Sequence, residues 1–195
     1  MAITVDRQTL SNALKAALSI AKNQKVIEIL TYSLFDIQSD ELLIYGCDGL
    51  TQVVSRVPLP EGQEPRRLLV PLRVCSETVA LHTLDEIDIN PTAKNHLTVR
   101  SDKSRQTLHC AANVDAYSIF EIADGGTTLE VDCELFLDAL AAISHIAAEA
   151  EIRENLQSVG FEVHGDRLYL FATDSYRAAA TGIPADVVNA GEPFL

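Results

Sequence analysis

The sequence predicts an α+β fold built as a tandem repeat, each copy running strand, helix, strands, helix, strands, with the second copy cut short. Three observations lead there. Slid against itself by 126 residues without a gap, the 195-residue chain matches at about fifteen of some 65 positions in one constant register. In each copy a stretch with apolar residues at helical spacing is followed by segments in which apolar and polar residues alternate. The composition, 47% hydrophobic and 22% charged with 9 Gly and 7 Pro, supports a packed core and does not suit a disordered or collagen-like chain.

The elements follow in order. Ile3-Thr-Val5-Asp6 is a short strand whose closing Asp accepts a hydrogen bond from a free backbone N–H at a helix start, and under the offset it falls on Leu129-Glu-Val131-Asp132. The helices come next, with Leu10, Leu14, Ala17, Leu18 and Ala21 in one apolar stripe and Phe136, Leu140, Ile143 and Ala147 as its counterpart. Glu28 then falls on Glu154, Leu30 on Leu156, Phe35 on Phe161, Asp48 on Asp174 and Pro58 on Pro184. After each helix two alternating segments read as a hairpin: Leu34 to Ile37 with Leu42 to Tyr45 around Ser39-Asp40, and Gly160 to Val163 with Leu168 to Phe171 around Gly165-Asp166. The first copy continues through Leu68 to Val70 into Pro71, a suitable first helical residue, and a second helix to about Leu84. Strands at Glu86 to Ile89, Leu97 to Arg100 and Ser104 to Ala111, with turns at Asn90-Pro91 and Ser101-Asp102, complete it. Phe194-Leu195 falls on Leu68-Leu69, just ahead of the place for a second helix, so the second copy is expected to stop halfway.

Several classes of function are disfavoured. The apolar runs are a few residues long, far short of the roughly 20 that a membrane-spanning helix needs, and the first 20 residues alternate in character, so a cytoplasmic protein without a membrane partner is expected. Cys47, Cys75, Cys110 and Cys133 form no CxxC and no regular spacing, which predicts reduced thiols instead of a zinc site or disulfide framework. Asp48 and Asp174 recur at equivalent strand ends, where Asp ties a turn through backbone N–H groups, and are not expected to act as an acid and base pair. His109 and Cys110 are neighbours on a strand and point to opposite faces. No Gly-rich phosphate loop, GxSxG or HExxH occurs, and Gly125-Gly126 sits between the copies. The expectation is a protein that is not an enzyme and needs no cofactor or metal.

Charge is segregated. Fifteen Lys and Arg against 28 Asp and Glu give a net charge of −13, which argues against nonspecific binding to a polyanion. Yet from Arg7 to Ile27 there are four bases (Arg7, Lys15, Lys22, Lys25) and no acid, and from Asp115 to Glu151 nine acids and no Lys or Arg. On a helix Lys15 and Lys22 lie within about 20° of each other and Arg7 about 80° away, so the three share a side. A solvated helix face and a polyanion-facing surface both account for that.

A repeated unit of this order whose second copy carries Ala172-Thr-Asp-Ser-Tyr-Arg-Ala178 resembles the bacterial DNA polymerase III beta subunit, the sliding clamp. That family has A-T-D-G-H-R-L after a hairpin of its second domain, and G-T-D-L-E in its first, where this chain has Gly46-Cys-Asp48-Gly-Leu50. Ser101-Asp-Lys-Ser104-Arg105-Gln106 is similar to its S-G-x-S-x-F strand and Val70-Pro71-Leu-Arg73 to its V-P-A-R helix entry. The resemblance implies the DNA clamp fold, with residues 1–122 as a first clamp domain and 127–195 as the first half of a second. It implies a non-catalytic processivity factor. In the family, protomers of three such domains form a head-to-tail homodimer ring around duplex DNA, with helices lining the hole, and hold DNA polymerase III and clamp loader subunits through short linear motifs.

Residue by residue, the resemblance assigns DNA contacts to Lys15, Lys22, Gln24, Lys25, Arg73, Arg153, Glu154 and Asn155, the acid at Glu154 being a departure. It assigns one side of an apolar cleft for partner peptides to Leu156, Thr173, Ser175, Tyr176, Arg177 and Ala178, with Ser175, Tyr176 and Ala178 standing where the family has Gly, His and Leu. The chain then reads as an N-terminal piece of about one and a half domains. The alternative is a short clamp-like interaction module that binds replication proteins or itself without encircling DNA.

Overall fold

The computed structural model describes residues 2–21, 27–92, 95–101, 104–120, 126–148 and 153–189. The chain divides into two units, Met1–Glu121 and Ile122–Leu195.

In the first unit, strand β1 (Ile3–Asp6) runs straight into helix α1 (Arg7–Ala21). The carboxylate of Asp6 makes the junction, accepting from the backbone N–H and the hydroxyl of Thr9, each at 2.6 Å. Leu10, Ala13, Leu14, Ala17 and Ala21 turn one face of α1 into the core, as the spacing predicts. A 3-10 turn (Glu28–Thr31) leads to β2 (Tyr32–Ile37), β3 (Glu41–Cys47), β4 (Gln52–Pro58) and β5 (Arg66–Pro71), then helix α2 (Leu72–Leu81) and strands β6 (Glu86–Thr92), β7 (His96–Ser101) and β8 (Ser104–His109). The strands form two antiparallel sheets in the orders β1-β6-β7-β8 and β4-β3-β2-β5. Each sheet thus borrows its odd strand from the other half of the unit, β1 from the first and β5 from the second. That exchange ties the halves into one core containing Phe35, Leu42, Ile44, Leu68, Ile87 and Val99 beneath α1 and α2.

Helix α1 sits very close to β3. A side chain at Gly46 would place its first carbon 2.6 Å from the Cα of Ala17, so the approach of helix to sheet depends on a residue without one. The opposite face of β2 and β3 is covered as well: Tyr117 is buried with Leu34 and Leu69, and its hydroxyl donates to the Tyr45 carbonyl at 3.2 Å. Burial there pushes the Tyr117 hydroxyl well above its ordinary titration range.

The second unit repeats the order. Strand β9 (Thr128–Glu130) precedes helix α3 (Cys133–Ser144), capped by the Asp132 side chain accepting from the Leu135 N–H at 2.9 Å. A 3-10 turn (Glu154–Gln157) and strands β10 (Gly160–His164), β11 (Arg167–Thr173), β12 (Ala178–Pro184) and β13 (Asp186–Asn189) follow. Shifting Glu28–Thr31, Glu41–Cys47 and Gln52–Pro58 by 126 residues gives Glu154–Gln157, Arg167–Thr173 and Ala178–Pro184, residue for residue. The pairing register is kept too, since Pro58 opposes Glu41 and Pro184 opposes Arg167. The copies differ in strand pairing: β1 pairs with β6, whereas β9 pairs with β13, the strand that directly follows β12. Among the described residues β10 has one neighbour, β11, where β2 has two.

Some sequence expectations need correction. Helix α2 stops at Leu81 and not near Leu84, because His82 is already extended (φ −81°, ψ 142°). Pro71 remains the last residue of β5 and caps α2 with φ −64° and ψ 104°, a conformation its ring permits, instead of opening the helix. Asn90-Pro91 is no turn: both lie in β6, where β1 has ended at the Ile3–Ile89 pair, so Pro91 occupies a stretch with a neighbour on one side only and tolerates the loss of a donor. Strand β8 ends at His109, and Ala111 instead donates to the Leu69 carbonyl at 2.9 Å. Ala147 falls beyond the end of α3. Strands β4, β12 and β13 are not singled out by alternation.

Candidate functional site

Helices α1 and α2 pack against each other and leave a solvent face on the first unit. On α1 that face holds Gln8, Asn12, Lys15 and Ser19 at spacings of three and four. Lys15 is its one charge among the described residues. Arg7 is turned elsewhere, its Nε donating to the Leu84 carbonyl at 2.9 Å, which secures the loop after α2. Arg73, on the first turn of α2, is well exposed but paired with Glu77 one turn on, Nε to Oε1 at 3.0 Å. Lys22, Gln24 and Lys25 lie outside the described residues. The structure therefore puts Lys15 and Arg73 on the helical layer, one of them partly neutralised.

The corresponding helix of the second unit has a different chemistry. The exposed residues of α3 include Glu134, Leu135, Leu137 and Asp138, with no Lys or Arg anywhere in the helix. Leu137 stands solvent-exposed where its repeat mate Ser11 is buried in the first unit. A hollow of about 420 Å³ beside β9 is lined by Glu130, Asp132, Asp166 and Asp186. Such acidic surfaces repel phosphate.

The second candidate site is the turn between β11 and β12. Asp174 organises it: Oδ1 accepts the backbone N–H of Tyr176 at 2.9 Å and of Arg177 at 2.6 Å, and Oδ2 accepts the Arg177 guanidinium. The two N–H donors first, and then the Arg177 side chain, hold the Asp174 carboxyl down to about 2. Thr173 Oγ1 donates to the Arg177 carbonyl at 2.7 Å and closes the turn from the other side. Ser175 adopts φ 75°, the left-handed region; its repeat mate Gly49 has φ 96°. With the turn so fixed, Tyr176 projects fully into solvent at 95% exposure. Its repeat mate Leu50, at 91%, projects from an equivalent turn in which Asp48 accepts the N–H groups of Leu50 and Thr51.

The 3-10 turn ahead of β10 meets this turn through Arg153, which donates to Ser175 Oγ at 2.8 Å. Arg153, the half-buried Leu156 and the turn of Thr173, Ser175, Tyr176, Arg177 and Ala178 thus gather at one end of the β10-β11-β12 sheet. Asn155 and Ala178 are exposed, and Glu154 opens the 3-10 turn.

Among the described residues no three His, Cys, Asp or Glu side chains converge as a metal site. Burial pushes the Cys75 thiol up to about 12 and the Cys110 thiol up to about 11, far from nucleophilic. No described helix is long and apolar enough to cross a membrane.

Residues 1–119 match the family model described as DNA polymerase III beta subunit, N-terminal domain. The chain is 24% identical over 187 residues to the beta sliding clamp of Pseudomonas putida, covering 96% of this chain and 51% of that protein. It is 23% identical over the same length to the beta sliding clamp of Pseudomonas aeruginosa. It thus spans about half the length of these relatives. Among solved structures, the DNA polymerase III subunit beta from Pseudomonas aeruginosa superposes with a TM-score of 0.83 at 24% identity, over 97% of this chain and 51% of that one. The beta subunit of Streptococcus pyogenes gives 0.84 at 18% identity, over 100% and 52%.

Proposed function

We propose that this chain, which belongs to the DNA polymerase III beta subunit family, serves as a sliding-clamp component that performs no chemistry itself and acts by holding DNA and partner proteins. Residues 1–122 form its first clamp domain and residues 127–195 the peptide-docking half of a second. The whole clamp is a homodimeric, cytoplasmic ring around duplex DNA, and it tethers DNA polymerase III and clamp loader subunits by their short linear motifs. Lys15, Arg73 and the outlying Lys22, Gln24 and Lys25 face the DNA, with Arg153, Glu154 and Asn155 contributing less because of the acid among them.

The observation that carries the reading is the turn at Asp174. A carboxylate that binds two main-chain N–H groups and an Arg fixes the Tyr176 ring in water, beside Arg177 and at the same sheet end as Leu156. Exposed aromatic and Arg side chains on a rigid support are the usual anchors of a peptide site. Titrating the protein with a clamp-binding peptide of DNA polymerase III tests it. Binding in the high micromolar range, weakened at least fivefold by Tyr176→Ala and by Arg177→Ala, is expected; equal binding by the variants overturns it.

A second reading, a clamp-like module that binds replication proteins or itself without encircling DNA, draws support from α3, whose surface carries acids and exposed leucines but no Lys or Arg. Peptide binding without any duplex affinity at low salt would favour that reading.

A further inference from the structure

The outer face of the β7–β8 hairpin carries two imidazoles that the clamp reading leaves without a task. His96 and His109 stand directly opposite each other in the register, beside the pairs Leu97–Leu108, Thr98–Thr107 and Arg100–Arg105. Because Leu97 and Leu108 fill the core, alternation turns both histidines to the opposite face, in line with the two Thr and two Arg. There His109 Nδ1 lies 3.0 Å from His96 Nε2, with the rings edge-on at 83° and their centroids 4.4 Å apart. The main chain fixes the spacing: Cys110 N–H donates to the Asn95 carbonyl at 2.8 Å just beyond the pair, and the Thr92 hydroxyl donates to the His96 carbonyl at 3.3 Å.

We propose that His96 and His109 form a bidentate site for a divalent transition-metal ion that favours nitrogen ligands, Cu²⁺ or Ni²⁺. Two imidazole nitrogens each bound at about 2.0–2.1 Å lie about 2.9 Å apart when the angle at the metal is a right angle, and about 3.3 Å apart at the tetrahedral angle. The observed 3.0 Å matches the right angle. Square-planar and tetragonal nitrogen sites are the preference of Cu²⁺ and Ni²⁺, and Cu²⁺ stands highest in the affinity order of first-row divalent ions. The ion takes the place of the proton that the two nitrogens share and is bound by both lone pairs after modest rotation of the rings. No third His, Cys, Asp or Glu joins the pair among the described residues, so water completes the coordination. The consequence is mechanical: among the described residues β8 has β7 as its sole neighbour in the sheet, and a bridging ion would staple that outer strand in place.

The test uses tag-free 195-residue protein titrated with Cu²⁺ and with Ni²⁺ by calorimetry, and with Cu²⁺ by electron paramagnetic resonance. One ion per chain is expected, with a two-nitrogen Cu²⁺ spectrum, Cu²⁺ bound more tightly than Ni²⁺, and at least tenfold weaker binding in both His96→Gln and His109→Gln. These exposed or half-buried positions tolerate Gln, and circular dichroism verifies that the variants fold. His164→Gln, which removes the imidazole hydrogen-bonded to Glu162 at 2.7 Å, is expected to leave binding unchanged. Binding that is lost in His164→Gln but kept in the other two variants, or no binding by the native protein at millimolar ion, overturns the proposal.

Discussion

Arg177 grips Asp174 at both of its oxygens: its backbone N–H donates to Oδ1 at 2.6 Å while Nε and Nη2 reach Oδ2 at 2.9 and 2.8 Å. The carboxyl of Asp174 is held down to about 2 from its ordinary 3.8 by these donors and by the Tyr176 N–H. A carboxyl with a lowered folded value contributes stability that is present above its unfolded value and lost as the pH falls through the folded one. The turn is therefore expected to loosen between about pH 4 and pH 2, not near neutrality. Nuclear magnetic resonance of the Asp174 carboxyl should show a midpoint at about 2, and a midpoint at or above the ordinary 3.8 would contradict the geometry. Asp174→Asn should free Tyr176 and broaden the amide signals of Tyr176 and Arg177 at neutral pH.

Gly46 and Ala172 offer a contrast between the copies. They are repeat mates on β3 and β11, yet Gly46 lies against the Ala17 backbone whereas Ala172 is buried as an Ala. Gly46→Ala forces its new carbon to within 2.6–2.8 Å of Ala17 and must lift α1, at a cost of about 1–3 kcal/mol by the usual scale of overpacking. Denaturant unfolding followed by a probe in the first unit should show that loss. The converse change, Ala172→Gly, adds no clash and is expected to cost about 1 kcal/mol, chiefly through backbone freedom and a small void.

Tyr117 separates a hydrogen bond from packing. Its hydroxyl shares the Tyr45 carbonyl with Ser33, whose Oγ donates at 2.7 Å, so the carbonyl keeps a partner when the phenol is removed. Tyr117→Phe is expected to cost about 1 kcal/mol or less, and Tyr117→Ala about 3–5 kcal/mol because a buried ring is removed from over Leu34 and Leu69. Similar losses for the two variants in equilibrium unfolding would mean the hydroxyl matters more than its geometry suggests.

Much of this fold is legible in the sequence because the duplication supplies two readings of each element. Offset pairs such as Asp6 with Asp132 and Asp48 with Asp174 identify caps and turns that either copy alone would leave ambiguous, and the structure keeps their geometry. Strand β4 is hard to read because Val53 and Val54 are adjacent and the strand lies at a sheet edge, half in solvent, so alternation is weak. The i,i+4 spacing of Arg73 and Glu77 permits a pair, but whether two exposed side chains meet is decided by rotamers that spacing does not specify. His96 opposite His109 follows from the hairpin itself, since a turn that pairs Ser101 with Ser104 fixes every pair behind it; adjacency along the chain shows only Cys110 beside His109. The pairing of β9 with β13 has no sequence signal, because it depends on which segment is at hand to cover β9.

Lys15 and Arg73 decide whether the helical layer of the first unit faces duplex DNA. Both are exposed, but Arg73 reaches Glu77 at 3.0 Å, and an exposed ion pair of this kind is weak enough to be exchanged for a phosphate. If it is exchanged on binding, Glu77→Gln removes a competitor and should raise duplex affinity, while Lys15→Glu and Arg73→Glu should lower it. Taking away one phosphate-binding cation should reduce the slope of log affinity against log salt by about 0.9. Fluorescence anisotropy of a labelled duplex at several low salt concentrations reads both quantities. A protein whose net charge is −13 should bind weakly in every case, so the comparison rests on direction and slope and not on tightness. A rise with Glu77→Gln at a slope no lower than that of the native protein, together with a lowered slope in the other two, places Arg73 at the phosphates. Identical curves for all three variants would show that this helical face carries charge for solubility alone.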